Sequence, residues 1–185
     1  IIGVGEPILE CRAHACAAAV QEIGQNIIGE NPLEIERLWQ RMYRSGFYRG
    51  GPITMSAISG IEMALWDIKG KALGVPAYDL MGGKVREKIR MYTHVKAIAI
   101  KGGNTVDEMC QLAKKRLSEW GMTALKYSII APINPIIGKA EMKPHIERFA
   151  AVRETIGDDV DLDIDFHGRV SPANAPRMID ALEPY

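Results

Sequence analysis

Residues 160–166 read Val160-Asp161-Leu162-Asp163-Ile164-Asp165-Phe166, so that apolar and acidic side chains alternate along the whole stretch. Strict alternation predicts a β-strand whose two faces differ in polarity. Two more strands are predicted at 89–95 and 123–128, and a helical pattern follows each of the three strands, at about 105–120, 140–156 and 173–182. A strand–helix repeat of roughly 35 residues is one βα unit, so the second half is predicted to be α/β with a parallel sheet.

The first half of the chain has a helical pattern instead. Helices are predicted at about 11–28, from Pro32 after the capping residue Asn31, and at about 53–73. The last of these is apolar almost all round, which predicts burial on most sides. Because the pattern changes near residue 88, two domains are predicted, 1–87 and 88–185.

Charge and cysteine content exclude several classes of protein. The 185 residues include 23 basic and 23 acidic side chains, and this neutral balance argues against a nucleic-acid partner or a polybasic membrane patch. No apolar run approaches the roughly 20 residues that span a bilayer. Three cysteines without a C-x-x-C motif argue against a disulfide scaffold or a zinc ribbon, and they favour the cytoplasm.

The predicted sheet is too small to be complete. A (β/α)₈ barrel needs about 250 residues, whereas only three βα units are predicted here. The sequence starts at Ile1 without an initiator methionine and ends at Tyr185, directly after a predicted helix. We therefore expect a piece of a longer protein, although the residues do not indicate whether the truncation is natural.

The strongest candidate for chemistry is the pair Asp165 and His167. The two residues are two apart at the carboxyl end of a predicted strand, so strand periodicity places both side chains on one side. In parallel α/β folds this end of the strands carries the functional site. A carboxylate can bind Mg²⁺ there, and an imidazole can transfer a proton near neutral pH. The alternative is a chance pair at a strand end without a catalytic role.

Four further residues are candidates for substrate binding. Lys126, on the second strand, could contact a substrate carboxylate or act as a base, or it could simply reach solvent at the rim. His94 closes the first strand and could reach the same mouth or be structural. Tyr48 lies in a Gly- and Pro-rich loop that could contact a polyol acid or merely connect helices, and Arg169 follows the central pair.

Two segments carry a family resemblance. Gly50-Gly51-Pro52-Ile53-Thr54-Met55-Ser56 through Ala64-Leu65-Trp66-Asp67-Ile68-Lys69-Gly70, with Gly82-Gly83, is similar to the capping-domain signature of the enolase superfamily. Together with Asp165-Phe166-His167-Gly168-Arg169-Val170-Ser171, it resembles the mandelate racemase/muconate lactonizing enzyme group, and in particular its dehydratases of D-galactonate type. The resemblance covers nearly the whole chain and is weakest over 97–143.

This resemblance implies a fold, a metal and a reaction. The fold is a truncated α+β capping domain at 1–87, whose N-terminal strands are missing, and the first three units of a (β/α) barrel at 88–185. The cofactor is Mg²⁺ held by three acidic residues, of which Asp165 matches the first and the others follow Tyr185. His167 matches the general acid that protonates the departing 3-hydroxyl of a sugar acid, giving a 2-keto-3-deoxy acid. The base is a histidine outside this sequence.

The resemblance also implies that the full-length protein is a homo-oligomer and that this chain alone is inactive, since one carboxylate holds catalytic Mg²⁺ poorly. One departure from the group is informative. Racemases and cycloisomerases carry Lys-x-Lys on the second barrel strand, whereas this chain reads Lys126-Tyr127-Ser128. Serine does not serve as that base unaided, which favours a dehydratase. An epimerase or cycloisomerase, a mannonate-type dehydratase and a non-catalytic homologue remain alternatives, and the identity of the sugar acid stays open.

Overall fold

The computed structural model describes residues 1–96, 105–129 and 134–185. They form two compact units, Ile1–Glu87 and Lys88–Tyr185. Residues 130–133, between the strand predicted at 123–128 and the helix predicted at 140–156, lie outside the described ranges. Among the helices in these ranges, none has both the length and the apolar character that crossing a bilayer demands.

The first unit is helical. A 3₁₀ turn (Gln25–Ile27) follows its first helix, and its helices are α1 (Ala13–Gly24), α2 (Ile35–Arg44), α3 (Pro52–Leu73) and α4 (Ala77–Leu80). Helix α3 begins with proline at its first position and ends at Gly74, whose φ of 71° is the left-handed conformation that glycine adopts without strain. The prediction for this helix is confirmed at both ends.

Helices α1 and α2 pack against α3. The core between α2 and α3 is built on buried Ile35, Leu38 and Leu65. Met63, in contrast, remains 45% exposed, so the expectation of burial on most sides of α3 holds only in part.

The N-terminal segment lies directly on α3. A Cβ atom at Gly5 would collide with the carbonyl oxygen of Gly60, and a Cβ atom at Gly60 would collide with Pro7, so glycine at both positions permits this approach. The amide of Val4 donates a hydrogen bond of 2.8 Å to the carboxylate of Asp67. Lys71 in turn donates to the carbonyl oxygen of Ile2 at 2.9 Å. The segment is therefore anchored by backbone contact and by two polar side chains.

The second unit alternates strands and helices, as predicted. Its elements are β1 (Thr93–His94), α5 (Val106–Trp120), β2 (Ala124–Ser128), α6 (Lys139–Ile156), β3 (Asp161–Asp165) and α7 (Ala175–Leu182). The strands form a parallel sheet in the order β1-β2-β3. The α/β prediction for this half is confirmed.

The two faces of the sheet differ sharply. On β2, Leu125 and Tyr127 are completely buried beneath the helices, and the Tyr127 ring packs edge-on against Phe149 at 5.6 Å. The alternate residues Lys126 and Ser128 are only partly buried and lie on the opposite face. One face of the sheet therefore forms the apolar core of this unit, and the other carries polar side chains.

Helix α5 illustrates why the predicted boundaries were accurate where local signals are strong. The Thr105 hydroxyl accepts the amide of Glu108, whose carboxylate in turn accepts the amide of Thr105. This reciprocal capping box fixes the start of the helix. Gly121, with φ of 62°, ends it.

The first strand is much shorter than predicted. Only Thr93 and His94 pair with β2, rather than the whole of 89–95. Arg90 instead directs its guanidinium across the start of the sheet, to the carbonyl oxygen of Thr123 at 2.7 Å and the carboxylate of Asp161 at 2.5 Å. At this end of the sheet, hydrogen bonds from the Arg90 side chain therefore replace the backbone hydrogen bonds of a longer strand.

Three helix starts were also predicted too early. Helix α1 begins at Ala13 because Cys11 has a positive φ of 61°. Before α2, the Asn31 side chain accepts the amide of Leu33 and forms a turn, so the helix does not begin at Pro32. Before α7, Ser171 forms another such turn, and the helix begins only at Ala175. In all three cases a local turn competes with the first helical turn.

Candidate functional site

Asp165 is the last residue of β3, and both of its carboxylate oxygens accept hydrogen bonds. Oδ1 accepts the backbone amide of His167 at 2.6 Å. Oδ2 lies 3.0 Å from Nζ of Lys126 and 3.2 Å from Nδ1 of His167. A carboxylate, a cation and an imidazole therefore converge at the carboxyl end of the sheet.

His167 reaches this position by a turn and not by strand periodicity. The strand ends at Asp165, and His167 has a left-handed φ of 49°, followed by Gly168 at 65°. The bond from its amide to the Asp165 side chain closes an Asx turn, which stabilises this otherwise unfavourable conformation. The predicted proximity of the two side chains is observed, but the reason given for it was wrong.

The contact with Asp165 orients the His167 ring. Because the carboxylate only accepts, the proton on the near side of the ring belongs on Nδ1. Nε2 hydrogen-bonds to no residue within 1–96, 105–129 or 134–185, and about a third of the side chain is exposed. Nε2 is therefore the nitrogen that can exchange a proton with a bound molecule.

The sequence predicts Lys126 as a substrate-binding candidate but does not predict its pairing with Asp165. Its side chain is 18% exposed, and its ammonium group lies 5.8 Å from the centre of the Tyr92 ring. The register pairs Lys126 with Asp163 on β3, one alternation before Asp165. The signal that could have revealed the pairing is the shared face of alternate residues on neighbouring parallel strands.

These neighbours determine the charge of Asp165. The hydrogen bond from Lys126, followed by the side-chain and backbone hydrogen bonds from His167, holds the pKa of the carboxyl well below its usual range. Asp165 is therefore ionised throughout the neutral range.

The carboxylate of Asp165 is suited to serve as one ligand of a hard cation such as Mg²⁺. Each carboxylate oxygen has about two lone pairs. Among the described residues, Oδ2 accepts two hydrogen bonds and Oδ1 accepts one, so Oδ1 keeps a lone pair that could bind a cation. The described residues contain no cluster of three or more His, Cys, Asp or Glu that could hold a metal ion. Asp163 is exposed, and Asp161 pairs with Arg90 at the opposite end of the sheet. In its described part, this chain could therefore supply one such ligand, Asp165.

His94 lies on the same face as Lys126, its partner in the register. Burial and the charge of Lys126 lower the pKa of its imidazole, although the nearby Asp165 opposes this shift. His94 is therefore neutral near pH 7. The structure brings it to the same end of the sheet as the central cluster.

Two other predicted residues make contacts of their own. The Arg169 guanidinium donates to the carbonyl oxygen of Ile129, so it braces the loop after β3 against the end of β2. Tyr48 belongs to the first unit, where it is 90% exposed and packs edge-on against Phe47. Among the described residues, no contact links Arg169 to Asp165.

Two family models match the chain in succession. The model for the N-terminal domain of mandelate racemase/muconate lactonizing enzyme matches residues 1–82, and the enolase C-terminal domain-like model matches residues 108–185. The chain belongs to the mandelate racemase/muconate lactonizing enzyme group of the enolase superfamily. The resemblance drawn from its motifs is confirmed.

Relatives of this enolase-superfamily member include curated dehydratases. It is 45% identical over 185 residues to a D-galactonate dehydratase from Pectobacterium atrosepticum and 45% identical over 184 residues to one from Variovorax paradoxus. The matches cover all of this chain but only 47% and 46% of those proteins. The chain thus spans about half the length of the curated relatives it matches.

Solved structures agree on the fold of this superfamily member. A mandelate racemase/muconate lactonizing enzyme from Jannaschia sp. CCS1 is 31% identical with a TM-score of 0.85, and the match covers 99% of this chain and 50% of that one. An enolase from Pantoea ananatis, solved with bound D-gluconate and Mg, is 31% identical with a TM-score of 0.80, covering 99% and 50%. The expectation of a partial enolase-type α/β architecture is confirmed.

Proposed function

We propose that the complete protein containing this chain is a Mg²⁺-dependent dehydratase of a sugar acid of the D-galactonate type. The observation that carries the proposal is the cluster of ionised Asp165, His167 and Lys126 at the carboxyl end of the sheet. The D-galactonate dehydratases among the relatives support the substrate class. The neighbour solved with D-gluconate and Mg supports both a sugar-acid ligand and the metal.

His167 acts as the general acid in this proposal. Its imidazolium donates the Nε2 proton to the 3-hydroxyl as the C3–O bond breaks, so that water leaves. The electron pair of the C2–H bond forms the C2–C3 double bond, and its proton passes to a base outside this sequence. The resulting enol tautomerises to the 2-keto-3-deoxy acid. Asp165 holds the ring so that Nε2 faces the substrate.

Asp165 is the proposed ligand of Mg²⁺ through Oδ1, with further ligands from outside this chain. When bound, the ion neutralises the negative charge that builds up on the substrate carboxylate as the C2 proton departs. Lys126 is proposed to bind the substrate carboxylate beside this charge. Its bond to Asp165 and the adjacent Tyr92 ring hold the ammonium group in place.

Several coarser expectations belong to the same proposal. We assign residues 1–87 to the capping domain and 88–185 to the first part of the barrel. Tyr48 and Arg169 remain proposed substrate contacts. Arg169 would use the guanidinium nitrogens that do not donate to the carbonyl oxygen of Ile129. We also propose a cytoplasmic homo-oligomer whose only required partner is its small-molecule substrate.

The position of Ser128 argues against a racemase or cycloisomerase. Ser128 pairs in register with Asp165, on the face of the sheet that carries Lys126. In a racemase, a lysine in this position would act as one of two bases on opposite sides of the substrate. A serine hydroxyl there provides a hydrogen bond but no basic nitrogen.

The test is turnover by the complete protein with Mg²⁺ and D-galactonate. We expect formation of a 2-keto-3-deoxy acid, followed by NMR, and its loss when Mg²⁺ is removed with a chelator. Exchange of the C2 proton for deuterium without loss of water would instead support an epimerase. Neither exchange nor dehydration on any sugar acid in a stereochemical panel would support a non-catalytic homologue.

A further inference from the structure

We propose that Asn174 is a positioning residue, which holds the segment that carries His167 where the imidazole can protonate the leaving hydroxyl. This inference rests on the proposed dehydration, in which His167 is the general acid. Asn174 touches neither the substrate nor the metal in this account. It acts through the backbone of the two connections that leave the carboxyl ends of β2 and β3.

His167 lies in a tight turn whose backbone conformation is unfavourable for it. The amide of Arg169 donates to the carbonyl oxygen of Phe166 at 2.8 Å, which closes a four-residue β-turn. Both central residues, His167 and Gly168, have a positive φ, as a type I′ turn requires. Glycine adopts this conformation freely, whereas histidine does not. The position of the imidazole therefore depends on how firmly the surrounding structure fixes the ends of this turn.

Asn174 fixes the side of the turn that leads into α7. It is completely buried although it is polar. Its Nδ2 donates to the carbonyl oxygens of Asn134 at 3.0 Å and of Pro135 at 3.2 Å, and its Oδ1 accepts the amide of Ile137 at 3.4 Å. Three of the four hydrogen-bonding positions of the amide group are used in this way. One side chain thus joins the segment after β3 to the backbone of 134–137.

Two neighbouring side chains reach the same stretch of backbone. The Ser171 hydroxyl donates to the carbonyl oxygen of Pro135 at 2.6 Å and accepts the amide of Asn174 at 3.3 Å. The Arg177 guanidinium donates to the carbonyl oxygen of Ile137 at 2.8 Å. Asn174 makes the most of these contacts and is the completely buried member, so its loss would remove three hydrogen bonds at once.

The location of this network connects it with the proposed site. Residues 134–137 follow β2, which carries Lys126, and residues 171–174 follow β3 and the turn that contains His167. Hydrogen bonds between the two connections hold the turn after one strand against the end of its neighbour. A shift of about 1 Å in a reacting group is enough to slow a reaction strongly.

A second network, at the opposite end of β3, provides a comparison. The Arg153 guanidinium on α6 donates to the carbonyl oxygens of Gly157 at 2.8 Å and of Val160 at 2.6 Å. These bonds also join a side chain to the backbone beside β3, but they lie before the strand begins. Arg153 should therefore contribute to stability without affecting the acid.

The experiment uses the complete protein and its Asn174→Ala, Ser171→Ala and Arg153→Ala variants, with D-galactonate and Mg²⁺ in D₂O. NMR measures the ratio of C2 proton exchange in recovered substrate to dehydration. Both processes begin with removal of the C2 proton, so their ratio does not depend on how much of the protein is folded. A displaced acid lowers dehydration alone, whereas a loss of folded protein lowers both equally.

We expect Asn174→Ala to raise this ratio about tenfold, and Ser171→Ala, which keeps the buried amide, to raise it about threefold. Arg153→Ala should lower the midpoint of urea unfolding and change the ratio by less than about twofold. If Asn174→Ala does not fold, Ser171→Ala decides.

An unchanged ratio in the variants of Asn174 and Ser171, or an equal rise in Arg153→Ala, would overturn the inference and leave the dehydratase intact. A wild-type protein that dehydrates no sugar acid would overturn the proposed function and this inference together.

Discussion

Tyr127 and Lys126 are adjacent in β2 but belong to two different environments. Tyr127 lies completely buried under the helices, its hydroxyl has no hydrogen-bond partner among the described residues, and burial raises its pKa to about 12. Lys126 lies on the opposite face, where its ammonium group lowers the pKa of Asp165. On one face desolvation dominates the titration, and on the other a charged partner does. A single strand therefore supports the core with one side and the proposed chemistry with the other.

The largest effect on activity is expected from removing the negative charge of Asp165, on the polar face of the sheet. In the complete protein, Asp165→Asn should lower kcat/KM for D-galactonate by at least about a thousandfold, because it removes the proposed metal ligand and the carboxylate that pairs with Lys126 and His167. Steady-state kinetics and Mg²⁺ titration calorimetry measure both losses.

Asp163→Asn provides the matched control for that experiment. Asp163 is in the same strand and on the same face, but it is exposed. Its substitution should change kcat/KM by less than about threefold. Equal effects of the two substitutions would contradict the assignment of the site to the end of β3.

Burial of Tyr127 on the covered face should make the free energy of unfolding depend on pH in the alkaline range. Because the folded protein holds the Tyr127 proton up to a pKa of about 12, the unfolded state releases it first, near pH 10. Between these values the folded state binds more protons, so the free energy of unfolding should fall as pH rises, by about 3 kcal/mol in total.

The matched variant here is Tyr127→Phe, which keeps the packing against Phe149 and removes the titrating group. Urea unfolding of both proteins between pH 9 and 12 isolates the contribution of this one hydroxyl from those of other tyrosines and lysines. If the difference in stability between the two proteins does not vary with pH, the hydroxyl is not buried as the structure has it.

A smaller effect is expected at Lys126. Lys126→Met should reduce kcat/KM about tenfold, mainly through KM, because the proposed contact binds the substrate carboxylate before and during the reaction. Lys143→Met is a suitable control, since Lys143 is an exposed lysine on α6 that pairs with Glu147 on the surface. A loss confined to kcat would indicate that Lys126 acts as a base instead.

The sheet itself was predictable because its signals are local. The alternation in 160–166 predicts which residues share a face, and Thr105 with Glu108 predicts where α5 begins. The shortness of β1 was not predictable, because it depends on Arg90 reaching Asp161, 71 positions away in the chain. A pattern of apolar residues carries no information about such a contact.

The candidate site shows the same limit. Asp165 and His167 were found from their spacing, yet the structure joins them through a left-handed turn, for which Gly168 was the one local signal. The bond between Lys126 and Asp165 depends on the register of β2 against β3. Register is a property of two strands, and neither strand specifies it alone.

The most direct test of the account is the fate of the C2 hydrogen in a His167→Asn variant of the complete protein. With D-galactonate and Mg²⁺ in D₂O, we predict that the variant loses dehydration but still exchanges the C2 proton for deuterium in recovered substrate, because the base lies elsewhere and only the acid is missing. Dehydration at the wild-type rate would contradict the role of His167 at the end of β3.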